Sequence, residues 1–170
     1  MVELAPSKLT LAPFQGLGVT LRLIVESDLQ TTLQWRNRDD ARRWFKTSAP
    51  LAWADHHAWF QKYGARADDY LFIVEAQGVA VGQASVYQIN PSTQSAEVGR
   101  FLVSPEHSGR GYIDEACAVL ITLCKEQFKL NYLFLEVFEE NQRAIKLYKH
   151  HGFVQEQSQG GLLRMGLHLD

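Results

Sequence analysis

Val103-Ser104-Pro105-Glu106-His107-Ser108-Gly109-Arg110-Gly111-Tyr112-Ile113 is the stretch on which the reading of this chain turns. A β-rich run, Ala96 to Val103, precedes it. After it Ile113, Cys117, Leu120, Ile121, Cys124 and Phe128 recur at helical spacing. A strand passing into a helix across a glycine-rich turn lets the backbone approach an anion closely. The unpaired N–H groups and the dipole of the helix then attract phosphate. Any tight loop can also carry a Gly-x-Gly, so its meaning depends on its surroundings.

Upstream, Val19 to Val25 alternates and reads as a strand. Ser27-Asp28 can cap a helix running to about Arg36, and Asp40 to Phe45 reads as a short second helix. Ser48 and Pro50 open a third, with Trp53, His56, Phe60 and Tyr63 at helical spacing. Tyr70 to Ala76, Val79 to Ile89 and Ala96 to Val103 form an antiparallel meander, turning at Gln77-Gly78 and Asn90-Pro91-Ser92. Downstream of the long helix, Tyr132 to Phe138 is a strand. Asn141 to His150 is a helix closed by Gly152, and Phe153 to Gln157 with Leu162 to Leu169 forms a hairpin. Residues 1–18, broken by Pro6, Pro13, Gly16 and Gly18, read as an extended lead-in. Residues 19–170 read as a single α/β domain.

The chain has 170 residues, 46% apolar and 21% charged, which suits one globular domain. A net charge of −2 supplies no basic field for nucleic acid. No apolar run approaches the roughly 18 residues of a membrane span, and the N-terminus has no signal-like segment, so a cytoplasmic protein without a membrane partner is expected. Cys117 and Cys124, seven apart on one apolar helix face, suggest core packing. The adjacent pairs His56-His57 and His150-His151 diverge on a helix and make poor chelates, so no metal is expected.

The strand Glu97-Val98-Gly99-Arg100-Phe101-Leu102-Val103 followed by Gly109-Arg110-Gly111-Tyr112 resembles the acetyl-CoA-binding motif of the GNAT (Gcn5-related) N-acetyltransferase superfamily. That family's pattern is Gln/Arg-x-x-Gly-x-Gly/Ala. Ser108 and Ile113 depart from it, removing a long side-chain clamp and placing bulk at the first helical turn. Leu135-Glu136-Val137-Phe138, Asn141 to Lys149 and His151-Gly152-Phe153 resemble the family's strand–Asn–helix–Tyr–Gly-Phe ending. The two matches stand in the family's order and separation.

The resemblance implies an α/β (α+β) GNAT fold. Its mixed, mostly antiparallel sheet of about six to seven strands is splayed at the cofactor gap and flanked by helices. It implies acetyl-CoA as co-substrate, with no metal, and a direct acetyl transfer to a primary amine. Cofactor contacts would come from Phe101, Leu102, Val103, Ser108, Gly109, Arg110, Gly111, Tyr112, Ile113 and Asn141, with the Phe101 N–H as oxyanion donor. Tyr148 matches the family's general acid, although its helix face also suits a half-buried core tyrosine. Glu97 matches a base found in some members, or is a surface carboxylate at a strand end. Arg143, Lys146 and Lys149 could meet a nucleotide phosphate or form a solvated face.

The segments Trp35-Arg36-Asn37, Ala41-Arg42-Arg43-Trp44-Phe45 and His56-x-x-Trp59-Phe60 resemble the N-terminal parts of two GNAT branches. One acetylates nucleotide-linked aminodeoxysugars, including pseudaminic-acid pathway enzymes; the other acetylates ribosomal proteins. Arg36, Arg42 or Arg43 would meet phosphate, and Trp44 or Trp59 a base or sugar; the same residues could instead be core tryptophans and solvated arginines. A small-molecule amine acceptor, an aminosugar nucleotide first, is the expectation. Protein N-terminal or polyamine acetylation and a non-catalytic acyl-CoA-binding module are the alternatives. Homodimers are common in the family.

Overall fold

The computed structural model describes residues 7–170; residues 1–6 of the expected lead-in lie outside the described residues. Strand β3 (Asp69–Ala76) sorts its side chains between two cores. Tyr70, Phe72 and Val74 join a large cluster on one face, while Leu71 and Ile73 join a smaller one on the other. This is the period-2 alternation of a strand covered on both sides. The strand itself pairs with β2 (Thr20–Leu23) and β4 (Val79–Asn90), and a two-residue β1 (Phe14–Gln15) extends the edge beyond β2. The β3–β4 turn uses Gln77 at φ 52° and Gly78 at φ 77°, both left-handed, as a tight hairpin requires.

The smaller cluster is covered by α1 (Leu29–Asn37) and α3 (Trp53–Tyr63), which deliver Leu29 and Tyr63 to it. Between them lies the single turn α2 (Asp39–Arg42), shorter than the expected Asp40–Phe45. The first helix is entered through a 3₁₀ turn, Glu26–Asp28. Asp28 accepts from the Val25 N–H at 2.8 Å and pairs with Arg22 at 2.7 Å, so it anchors the turn without capping α1 itself.

The larger cluster is covered by α4 (Tyr112–Phe128), whose Ala116, Leu120, Leu123 and Cys124 are buried against the sheet. The last helix, α5 (Gln142–His150), adds Ile145 to the same cluster. The crossover through α4 makes β5 (Ser95–Val103) and β6 (Tyr132–Phe138) parallel neighbours, and β7 (Val154–Gln159) and β8 (Leu162–His168) complete the sheet. Its order is β1-β2-β3-β4-β5-β6-β8-β7. The eight strands among the described residues exceed the expected six to seven because the lead-in contributes β1.

Candidate active site

The parallel pair β5–β6 is joined at one end only. Its register runs Ser95↔Tyr132, Ala96↔Leu133 and Glu97↔Phe134 and then stops, although both strands continue. On the other side, β5 loses register with β4 between Gln83 and Ser85, so Arg100 and Phe101 have no counterpart there. The extra residues form a bulge, with Arg100 in the left-handed region at φ 54°. The bulge bends β5 away from β6 and opens the sheet. A cavity of about 920 Å³ passes through the opening. Tyr148 and Ile113 line it from the α4/α5 side, and Trp44 and Arg36 from the α1/α2 side.

Three side-chain contacts hold the bulge. Arg100 Nη1 donates to Asp69 Oδ1 at 2.8 Å, and Asp69 is fully buried. Gln83 Nε2 donates to the Arg100 carbonyl at 3.0 Å. The Arg100 guanidinium also stacks on the Tyr87 ring, 4.1 Å from its centroid. A left-handed non-glycine residue costs on the order of 1–2 kcal/mol and persists where its surroundings over-determine it.

At the far end of β5 the backbone forms a cradle. Gly109 and Gly111 have φ 78° and 80°, and the space where a Cβ would project is open at both. Gly111 is the N-cap of α4 and makes no side-chain cap bond, so the first N–H groups of the helix face the cavity without an internal acceptor. Ser108, Tyr112, Ile113 and Asp114 line the cavity beside it. His107 steadies the loop, its Nδ1 2.6 Å from the Ser104 hydroxyl, and His151 Nε2 lies 2.9 Å from Asp114 Oδ1, tying α5 to the first turn of α4. Asn141 caps α5 by accepting from the Ala144 N–H at 3.3 Å and also lines the cavity. Arg110 is exposed and is not among the lining residues, unlike its motif neighbours.

Two carboxylates meet in the opening. Glu97 and Glu136 both line the cavity, on the sheet face opposite the large cluster to which Ala96, Val98, Leu135 and Val137 belong. Glu97 is 8% exposed, so the surface-carboxylate alternative does not hold. It accepts from the Tyr87 hydroxyl at 3.1 Å. Burial chiefly, with Glu136 adding to it, lifts its carboxyl above the ordinary range, while Tyr87 opposes the shift. Gly99 makes room for that hydroxyl: a Cβ there would lie 2.8 Å from it. Glu136 is paired with the Lys46 ammonium at 2.6 Å, which raises the lysine's pKa.

Tyr148 sits half-buried between Phe101 and Phe153, with ring centroids at 5.9 and 6.0 Å. Burial pushes its phenol well above the ordinary value, so it stays protonated and able to donate. The cysteines stand apart from this chemistry. Both are buried, and burial pushes the Cys117 thiol up to about 12.

The α1/α2 wall departs most from expectation. Trp59 stacks on His56 at 5.6 Å and packs with the smaller core, away from the cavity. Arg42 pairs with Asp39. Arg36 and Trp44 do line the cavity, and among the described residues Arg36 Nη1 is a buried donor without a hydrogen-bond partner. Arg143 lines it too, whereas Lys146 and Lys149 are exposed on α5 outside it. The sequence reading missed Glu136, Lys46 and Tyr87. For Glu136 a signal existed, because it is the charged residue on the polar-facing register of an otherwise apolar strand. The described residues hold no cluster of metal-binding type, and no helix among them is long and apolar enough to cross a membrane.

A splayed parallel pair, a bulge at the splay and a glycine cradle at a helix N-terminus together give a cavity with an anion-binding end. The chain belongs to the GNAT acetyltransferase family: residues 19–154 match the profile of the Acetyltransferase (GNAT) domain. It is 27% identical over 136 residues to spermidine N(1)-acetyltransferase of Escherichia coli K12, covering 80% of this chain and 73% of that one. It is 26% identical to the acetyltransferase PseH of Campylobacter jejuni over 74% of this chain and 76% of that one. The fold superimposes on spermidine N-acetyltransferase from Vibrio cholerae, solved with CoA and spermine, with a TM-score of 0.81 at 23% identity, covering 89% of this chain and 95% of that one. The protein is therefore an acetyl-CoA-dependent N-acetyltransferase.

Proposed function

We propose that the acceptor is an alkyl polyamine of the spermidine type. The observation that carries this reading is the Lys46 ammonium seated 2.6 Å from Glu136, on the same sheet face as Glu97. A primary ammonium on a flexible carbon chain already fits that place, and a polyamine presents the same group. The names of the spermidine acetyltransferase relatives agree with it.

In this reading the backbone of β5 from Phe101 to Val103 receives the acyl-pantetheine arm, and the Phe101 N–H faces the oxygen that gains charge as the amine attacks. The cradle from Ser108 to Ile113, with Asn141, takes the pyrophosphate end. Glu97 accepts the proton that makes the ammonium a neutral nucleophile; its raised pKa brings it closer to the range where a carboxylate is an effective base. Tyr148 donates to the departing thiolate. Trp44 covers the acceptor's carbon chain.

A second reading rests on Arg36, whose buried Nη1 lacks a partner among the described residues. An acceptor with an anionic tail, such as a nucleotide-linked aminosugar, would satisfy it. Competition separates the two. With acetyl-CoA limiting, an equimolar mixture of spermidine, an aminosugar nucleotide and an N-terminal peptide should yield acetylspermidine as the main product by mass spectrometry. A dominant acetylated sugar nucleotide would overturn the polyamine reading.

A further inference from the structure

We propose that the chain acetylates itself at Lys46 when acetyl-CoA is present and no free amine competes. The inference rests on the reading of the Glu97–Glu136 face as the acceptor's place. Among the described residues Lys46 is the one lysine lining the cavity. Its side chain is 65% exposed, and its Nζ reaches Glu136 at the opening.

The loop that carries Lys46 is pinned on both sides. Arg36 Nη2 donates to the Thr47 carbonyl at 2.8 Å, and the Arg36 guanidinium lies 3.7 Å from the Phe45 ring centroid. Asn37 and Leu51 exchange two hydrogen bonds at 2.8 and 2.7 Å. Lys46 is thus held where an acceptor amine has to arrive. A tethered nucleophile at such a site has a high effective concentration compared with a lysine meeting acetyl-CoA from solution.

The step balances without a further reagent. The Lys46 ammonium gives up one proton to Glu97 or water before it attacks, and the nitrogen gives up a second to water as the amide forms. Its lone pair forms a C–N bond with the acetyl carbonyl carbon as the C–S bond breaks. CoA leaves with the sulfur's electron pair and takes up a proton from Tyr148, which solvent then replaces. The product is a neutral amide that no longer pairs with Glu136, so modification would free that carboxylate for a cationic acceptor.

The test uses the full-length protein and isotopically labelled acetyl-CoA without acceptor, followed by peptide mapping over time. Label should enter Lys46 with first-order kinetics independent of protein concentration. The rate should exceed that at the exposed Lys125, and that at Lys46 in urea-unfolded chain, by at least about tenfold. Lys46→Arg should lose the fast label and keep the slow one. Labelling of Lys46 no faster than Lys125, or a rate that rises with protein concentration, would overturn the inference. Spermidine turnover is measured in the same preparation. Acetylated spermidine with an unlabelled Lys46 removes the self-acceptor and leaves the polyamine reading standing. Fast Lys46 label with no transfer to spermidine does the reverse.

Discussion

The two walls of the cavity are built by different means. The proposed donor wall, from β5 through the glycine cradle to α5, is made of backbone whose shape is fixed by the sheet, by Gly109 and Gly111, and by the pairing of Arg100 with the buried Asp69. The acceptor wall, from Arg36 to Thr47 with Glu97 and Glu136, is made of side chains carried by one short helix, one loop and two strands. In the proposed reading the backbone wall recognises what every acetyl-CoA has in common. The side-chain wall can be rewritten one residue at a time, so in that reading it is where the choice of amine resides.

Breaking the bulge should have the largest effect. Asp69→Asn leaves the half-buried Arg100 guanidinium without its counter-charge, and losing a hydrogen bond between charged groups costs about 2 kcal/mol. Denaturant unfolding should record that loss. Turnover should fall with it, because the Phe101 N–H shifts with the bulge. Wild-type stability and turnover would mean that the bulge holds without the pair.

Tyr148→Phe isolates the donor wall's chemistry. It should lower kcat by about 100-fold with acetyl-CoA affinity nearly unchanged. Unchanged turnover across pH would make Tyr148 a packing residue between Phe101 and Phe153. Gly111→Asp attacks the cradle, where a carboxylate would face the pyrophosphate. Acetyl-CoA affinity by calorimetry should fall by about tenfold, or about 1.4 kcal/mol. Wild-type affinity would count against the cradle.

The contrast between the walls also explains what was legible in the sequence. The Gly-x-Gly turn, the strand before it and the Asn141-to-Phe153 ending are local in sequence, and each constrains one piece of backbone. They therefore announced the donor wall and the fold, down to strand β6 over Tyr132–Phe138. The departures at Ser108 and Ile113 left the open space at the two glycines intact. The acceptor wall joins residues distant in sequence. Lys46 meets Glu136 across ninety positions, a contact that no helical or strand period encodes. Trp44 and Trp59 looked alike as aromatics beside charged residues, yet burial against Tyr63 and His56 claimed Trp59 for the core. Glu97 could be placed on a strand but not inside a sheet, and its burial came from Tyr87 and the neighbouring strands.

The smallest predicted effect separates Glu97's ionisation from its packing. Burial raises its folded-state pKa, so the fold favours the protonated form. The associated stability is full below the unfolded value, about 4.3, and is lost as pH rises through the folded one. Against Glu97→Gln, wild-type stability should therefore decline as pH rises from the carboxylate range toward neutrality. A difference independent of pH would mean that burial does not raise the carboxyl's pKa.

The most direct measurement is thiol release from acetyl-CoA with spermidine as acceptor, for the native chain and Glu136→Gln side by side. The native chain should show saturable release, and the variant a KM for spermidine raised by about tenfold with the acetyl-CoA KM unchanged. No release with spermidine, or an equal KM in the two proteins, would contradict the assignment of the carboxylate face to a cationic amine.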